Sequence, residues 1–358
     1  MLKIDGSFGE GGGQILRTAL ALSMITQIPI EISNIRAGRK KPGLMRQHLV
    51  CVQAAKAISH AAVTGAELGS QILQFIPHTV QSGEYAFDIG SAGSTALVLQ
   101  TILPPLLLAS HASTVTIKGG THNPLAPTVD FLQHAFIPAL AKMGIKLELE
   151  LKQAGFAPVG GGEIIANIYP IAASVNHPKF EVLNRGKLLG VDLVASELNL
   201  HIDIPNRELA SAATYLLEKN GVTKEQLHQR VASLKGIGEG NTCYAIVKNE
   251  NHQEVFTRLG EKKNSAENIG KRLAGLVNRY FASDACVDEY LADQLLLPLA
   301  ILVDNKRFES KVAQFSARMI SEHTRTQAVM IEKFLPVSIM FKPIEHQQSS
   351  ILVIIQSK

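Results

Sequence analysis

Apolar positions in the first half of the chain alternate between two periods. Short runs of strand character, at Ile28–Ile32, Gln71–Ile76, Tyr85–Ile89, Val115–Lys118 and Lys146–Leu151, are separated by longer stretches of helical spacing. Those stretches are Leu44–Ser59, Ser94–Leu108 and Val129–Met143. Another helix is predicted right after the first strand, Leu2-Lys3-Ile4: Ile15, Ala19 and Leu22 repeat at one-turn spacing, and Leu16 with Leu20 widens the stripe. Glycine clusters punctuate the pattern at Gly11–Gly13, at Gly119-Gly120 and at Gly160–Gly162. Strand, glycine and helix in recurring order predict three repeated α/β units, each a small sheet backed by helices.

From about Asn184 the texture changes. A segment opening on Asn184-Arg185-Gly186-Lys187 contains an alternating run, Leu198–Ile204, and polar helices near Arg207–Lys219 and Ala266–Phe281. The apolar style returns at Asp288-Glu289-Tyr290-Leu291-Ala292-Asp293-Gln294, and the chain closes on strand patterns at Pro336–Phe341 and Ser350–Ser357. The predicted fold is therefore α/β (α+β): a discontinuous large domain, 1–183 and 284–358, carrying a smaller inserted α/β domain, 184–283.

Composition narrows the function classes. With 358 residues, 46% apolar and 18% charged, the chain is long enough for a large packed core. Its net charge of +4 is too small to mark a nucleic-acid binder by itself. Its distribution says more: Arg36, Arg39, Lys40, Lys41 and Arg46 are uninterrupted by any acid, in a loop broken by glycine and proline. A polyanion contact is expected there. Cys51, Cys243 and Cys286 are far apart and lack CxxC spacing, which argues against a disulfide framework or zinc site and for a reducing, cytoplasmic compartment. No basic region followed by an apolar core opens the sequence, so no secretory signal is expected. The longest apolar run, Thr95–Ala109, is interrupted by Gln100 and Pro104-Pro105 and is too short and broken for a membrane span, so a soluble protein is expected.

Two constellations carry candidate chemistry. In Asp5-Gly-Ser-Phe-Gly-Glu-Gly-Gly-Gly-Gln-Ile-Leu-Arg17, consecutive glycines let backbone N–H groups close on an anion at a helix N-terminus. The segment is neither a Walker loop nor GxGxxG. Glu10 would repel a phosphate unless a cation lay between them, and Arg17, about a turn into the helix, could meet the same anion or neutralise Glu10. The same residues also suit a plain βα turn with an acid favoured by the helix dipole. The second constellation is Ser321-Glu-His323-Thr324-Arg-Thr326-Gln327. Thr324 and Gln327 have capping-box spacing, which predicts a helix starting there with His323 just outside it. An imidazole so placed can meet a phosphate or attack phosphorus to form a labile phosphoramidate. A polar surface histidine beside a cap fits the pattern too.

The whole chain resembles the RNA 3′-terminal phosphate cyclases. The resemblance is carried by Asp5–Arg17, by Ile35-Arg-Ala-Gly-Arg-x-Lys-Pro-Gly-Leu-x-Arg-Gln-His48, and by Gly90-Ser-Ala-Gly-Ser94 with Gln100. Gly119-Gly-Thr-x-Asn-Pro124, Gly160-Gly-Gly162, Gly238-x-Gly-Asn241, Glu289-Tyr-Leu-Ala-Asp-Gln294 and Phe334-Leu-Pro336 complete it in family order. It implies a histidine nucleophile at His323 that takes AMP from ATP and passes it to an RNA 3′-phosphate. The vicinal 2′-hydroxyl then closes a 2′,3′-cyclic phosphate and expels AMP. It further implies nucleotide contacts at Gln100 and at Tyr290, Leu291, Ala292, Asp293 and Gln294, and phosphate contacts at Arg17, Arg36 and Arg39. Gln47 and His48 lie nearby as weaker candidates. A divalent cation, Mg²⁺ or Mn²⁺, is implied at Glu10, which resolves the carboxylate beside the phosphate site. The partner is RNA with a 3′-phosphate, and no membrane is implied.

The same superfamily includes non-catalytic RNA-binding proteins that assist ribosome assembly. The match at His323, Glu10 and Tyr290–Gln294 favours the enzyme. One position departs from the family pattern: His-x-x-Thr-Asn stands here as His323-Thr-Arg-Thr326-Gln327. If that asparagine amide positions the histidine or a phosphate, the longer glutamine places the contact differently and slows the reaction; the capping-box reading, favoured here, instead makes Gln327 a helix-start residue able to replace the asparagine.

Overall fold

The computed structural model describes residues 1–171, 179–219, 221–304 and 311–358. The first unit contains β1 (Leu2–Asp5), α1 (Gln14–Thr26), β2 (Ile30–Ser33), α2 (Arg46–Ser59), β3 (Ala62–Thr64) and β4 (Leu73–Ile76). The second contains β5 (Glu84–Asp88), α3 (Thr95–Leu106), β6 (Ser113–Gly119), α4 (Val129–Phe131), α5 (Ile137–Lys142), β7 (Leu147–Gln153) and β8 (Gly162–Ile168). After β9 (Glu181–Val182) come β10 (Leu188–Leu198), α6 (Asp203–Lys219), β11 (Leu227–Ser233), β12 (Gly240–Asn249), β13 (Gln253–Leu259) and α7 (Ala266–Phe281). The chain ends with α8 (Glu289–Asp304), β14 (Val312–Ala317), α9 (Glu322–Phe334), β15 (Val337–Pro343) and β16 (Ile351–Ser357).

Four mixed sheets result, and three share one plan. Their orders are β1-β2-β4-β3, β5-β6-β8-β7 and β9-β14-β16-β15. In each, the first two strands are parallel and the remaining pairings antiparallel. The parallel pair needs a crossover, which α1 and α3 supply in the first two units and α8 in the third. The fourth sheet, β11-β10-β12-β13, follows a different order. It interrupts the third unit between that unit's first strand and its crossover helix. A separate apolar core of Val191, Leu193, Leu209, Leu273 and Tyr280 binds it to α6 and α7. The other three units share one continuous core.

The α/β fold of repeated units with an insertion is thus as the sequence implied, but the glycine clusters do not mark one unit each. Gly119-Gly120 and Gly160–Gly162 both lie in the second unit, at the end of β6 and the start of β8. There glycine answers close packing: a Cβ on Gly162 would lie 2.6 Å from the Thr121 side chain and 2.7 Å from the Gly155 nitrogen. The stretch Val129–Met143 is also not one α-helix. Residues Leu132–Phe136 widen into a π turn, with the Ile137 N–H reaching back to the Leu132 carbonyl. Pro138, which has no N–H and crowds the preceding turn, accounts for the break.

Candidate active site

Three helix starts meet at one place: α1 brings the glycine turn and Gln14, α8 brings Asp293 and Gln294, and α9 brings His323. Ser321 caps α9, its Oγ accepting the Thr324 N–H at 3.1 Å. The helix therefore begins three residues earlier than the Thr324/Gln327 capping box predicts, and His323 lies inside the first turn rather than outside it. Both Ser321 and Thr324 are competent caps, and Thr324 is instead fully buried with its hydroxyl against that of Ser321. Gln327 is no helix-start residue either.

The His323 imidazole stands between two carboxylates. Its Nε2 is 3.7 Å from Glu10 and its Nδ1 is 3.8 Å from Asp293, both beyond hydrogen-bond length. The Asp293 carboxylate is fixed from two sides, by Gln14 Nε2 at 3.2 Å and by Gln294 Nε2 at 3.0 Å. Gln294 in turn accepts from Gln100. Gln14 also donates to the His323 carbonyl and to Gln327 Oε1, each at 3.0 Å. Its amide has two N–H groups for three acceptors, so one proton is shared. Gln14 is the hub of the site, a role that sequence reasoning missed. Nothing local in the sequence marks that role, because the partners lie 279 to 313 residues away.

This wiring corrects the reading of Gln327, whose amide holds Gln14 in place. Gln327→Asn, which restores the family pattern, shortens the side chain and withdraws that acceptor. Loss of one such bond is worth about 1 kcal/mol, so about a fivefold slower adenylylation by ATP is expected. An unchanged or faster rate would show that the amide is not matched to Gln14.

Cations close over the glycine turn. Arg39 donates to the Glu10 carbonyl at 3.0 Å, and a Cβ on Gly12 would lie 3.2 Å from that guanidinium. At Gly13 a Cβ would lie 2.3 Å from His48 Nε2 and 2.9 Å from Arg17, so glycine here admits side chains as well as a ligand. Arg17 is buried; desolvation pulls its pKa down, and the fields of Cys51 and then Asp293 partly oppose this. Burial, then Arg17 and Arg36, push the His48 pKa down to about 3. Its Nδ1 accepts the Met45 N–H, so the neutral ring carries its proton on Nε2, toward the turn. Gln47 serves the scaffold, accepting the Ser94 N–H at 2.8 Å.

Other predicted contacts are redistributed. Arg36 donates to the Lys41 and Gly43 carbonyls at 2.7 and 2.9 Å, bracing its own loop. Leu291 and Ala292 are fully buried in the core, so neither side chain can meet a ligand. On α8 those two positions turn inward, so any contact they make with a nucleotide would be through the backbone. Tyr290 exposes its ring. Among the described residues no cluster of three or more His, Cys, Asp or Glu forms a metal cage. No described helix is long and apolar enough to cross a membrane, and all three cysteines are free and buried.

A cation-lined glycine turn facing a histidine placed among carboxylates and amides has the chemistry to hold a phosphate. Comparison with known proteins gives the family: the model of the RNA 3′-terminal phosphate cyclases matches residues 8–341. The RNA 3′-terminal phosphate cyclase of Ralstonia nicotianae is 45% identical over 338 residues, covering 94% of this chain and 92% of its own. That of Koribacter versatilis is 46% identical over 339 residues, covering 94% and 91%. The chain belongs to the RNA 3′-terminal phosphate cyclase family.

Proposed function

We propose that the protein converts an RNA 3′-phosphate to a 2′,3′-cyclic phosphate through adenylylation of His323. Family membership carries the general activity; the placement of His323 carries the mechanism. With Asp293 on the Nδ1 side, the proton belongs on Nδ1 and the lone pair on Nε2. Nε2 attacks the α-phosphorus of ATP; a P–N bond forms, the P–O bond to pyrophosphate breaks, and pyrophosphate leaves. An oxygen of the RNA 3′-phosphate then displaces the imidazole and takes the AMP. The neighbouring 2′-hydroxyl attacks the 3′-phosphorus, loses its proton, and expels AMP as the ring closes.

Arg17, Arg39 and the Nε2–H of His48 stabilise negative charge on the phosphates as it shifts toward the leaving group. Glu10 is an exposed hard-oxygen donor beside this cluster. One such carboxylate plus phosphate oxygens and water suits Mg²⁺ or Mn²⁺, which would supply charge neutralisation. Tyr290, Gln100 and Gln294 line the side on which a nucleoside would lie.

Lys40, Lys41 and Arg46 extend the positive surface outward from Arg39, and all are exposed. Few aromatic residues are available to read bases (5% of the chain), so contact with the RNA backbone is expected. Replacing Lys40 and Lys41 together by alanine should weaken RNA binding whatever its sequence. It should also lower the slope of log affinity against log salt by about 1.4, which is about 0.7 per lost contact on a single strand. Self-adenylylation without RNA should be unaffected. Filter binding over a salt series checks this, and sequence-selective, salt-insensitive binding would contradict it. The reading as a whole is tested by offering ATP and a 3′-phosphorylated oligonucleotide. It predicts a phosphatase-resistant, acid-openable cyclic end together with AMP and pyrophosphate.

A further inference from the structure

The inserted unit reaches the active site through a buried ionic bridge that the reaction above leaves unused. Glu254, on β13, is completely buried and 34 residues before Asp288, the residue whose carbonyl opens α8. Its Oε2 accepts the Asp288 N–H at 2.8 Å. Asp288 is itself buried, and Arg318 Nε donates to its carboxylate at 2.6 Å while the other arm of Arg318 reaches Glu289 at 3.0 Å. The Arg318 backbone N–H donates to the Val287 carbonyl at 2.9 Å. From Asp288 it is five residues along α8 to Asp293. From Arg318 it is five residues to His323. One bridge therefore fixes the starts of both helices whose side chains face each other in the site.

We propose that Glu254 and Arg318 are positioning residues, through which the inserted unit sets the distance between Asp293 and His323 for adenylylation. This rests on His323 being the nucleophile. Energetics favour positioning over stability. Two buried carboxylates, Glu254 and Asp288, lie side by side, and of the two only Asp288 is paired with Arg318; desolvating such a group usually costs as much as the pairing returns, and an apolar patch of the same volume would hold the unit at least as well. The surplus negative charge also makes the bridge sensitive to protons. Burial and then Glu254 raise the Asp288 pKa to about 6, against the opposing pull of Arg318. The groups around the bridge are His252, whose Nε2 is 3.5 Å from Glu254, Tyr280 and Arg185 behind it, and Tyr290, Arg258 and Arg279 on the open side. As pH falls through this range Asp288 takes up a proton, Arg318 keeps only Glu289 as its ionic partner, and the hold on the two helix starts weakens.

The test compares full-length wild type with Glu254→Gln, Glu254→Ala and the control Leu273→Ala, which destabilises the inserted unit's core away from the bridge. Adenylylation by ATP alone is followed against pH, together with melting temperature and amide hydrogen exchange. Glu254→Gln keeps an acceptor for the Asp288 N–H but removes the neighbouring charge. Its acid limb should move to lower pH with an unchanged KM for ATP. Glu254→Ala should lower kcat about tenfold and speed exchange at residues 289–294 and 321–327. Leu273→Ala should melt earlier yet leave the pH profile and those amides as in wild type. A superimposable profile for Glu254→Gln would overturn the proposal, as would equal losses in Leu273→Ala and Glu254→Ala. Absence of adenylylation in wild type would instead remove the histidine mechanism, leaving the exchange data to decide whether the bridge holds both helix starts.

Discussion

His323→Ala is expected to fold as wild type, to bind ATP, and to carry no covalent AMP. Side-chain truncation at this partly exposed position removes no core packing, so the melting temperature should stay within a degree or two. Any attack by the neighbouring carboxylates, Glu10 or Asp293, would give an alkali-labile acyl adenylate rather than a phosphoramidate, and the other imidazole at the turn, His48, has its Nδ1 lone pair engaged by the Met45 N–H. Removing the nucleophile of a covalent mechanism typically costs about 10⁴-fold or more in turnover. Denaturing electrophoresis after incubation with α-labelled ATP, alongside turnover of a 3′-phosphorylated oligonucleotide, checks both parts. Equal labelling of the variant would move the nucleophile elsewhere.

Asp293→Asn and Asp293→Ala should rank next in effect and should differ from each other. The alanine variant leaves Gln14 and Gln294 without their shared acceptor, and the imidazole without the carboxylate on its Nδ1 side. The asparagine variant keeps an oxygen for one amide but presents an NH₂ that donates where Nδ1–H needs an acceptor. Losing that electrostatic partner costs about 10²- to 10⁴-fold in the adenylylation step. Arg17 also loses the one carboxylate whose field opposes its desolvation, so ATP affinity should change with kcat rather than independently of it. Single-turnover labelling at saturating and limiting ATP separates the two. A variant slowed less than about tenfold would remove Asp293 from the mechanism.

Strand and helix positions were legible because apolar periodicity reports burial, and burial is what the sheets and crossovers require. The shared plan of three sheets was hidden because strand pairing is set between residues far apart in sequence. The third unit in particular is split, with β9 at 181–182 and its neighbour β14 at 312–317. In the site, His323, Glu10, Asp293, Gln294, Gln100, Arg17 and Arg39 converge. They could be named from motifs, but their wiring could not. Gln14 bonds to residues 279 to 313 positions away, and a glutamine opening a helix gives no local sign of that. The start of α9 was ambiguous because Ser321 and Thr324 both satisfy the capping rule, and burial of Thr324 decided between them. Leu291 and Ala292 sit within the Tyr290–Gln294 segment for a packing reason: helical geometry turns them inward while Tyr290, Asp293 and Gln294 stay accessible.

The central claim is that His323 carries AMP, and peptide mapping of the protein after incubation with ATP and Mg²⁺ or Mn²⁺, without RNA, tests it most directly. The account predicts at most one AMP per chain, acid-labile and alkali-stable, on the peptide containing His323 and released when a 3′-phosphorylated RNA is added. AMP on a lysine or on another histidine, or cyclisation of RNA with no adduct formed at any stage, would contradict it.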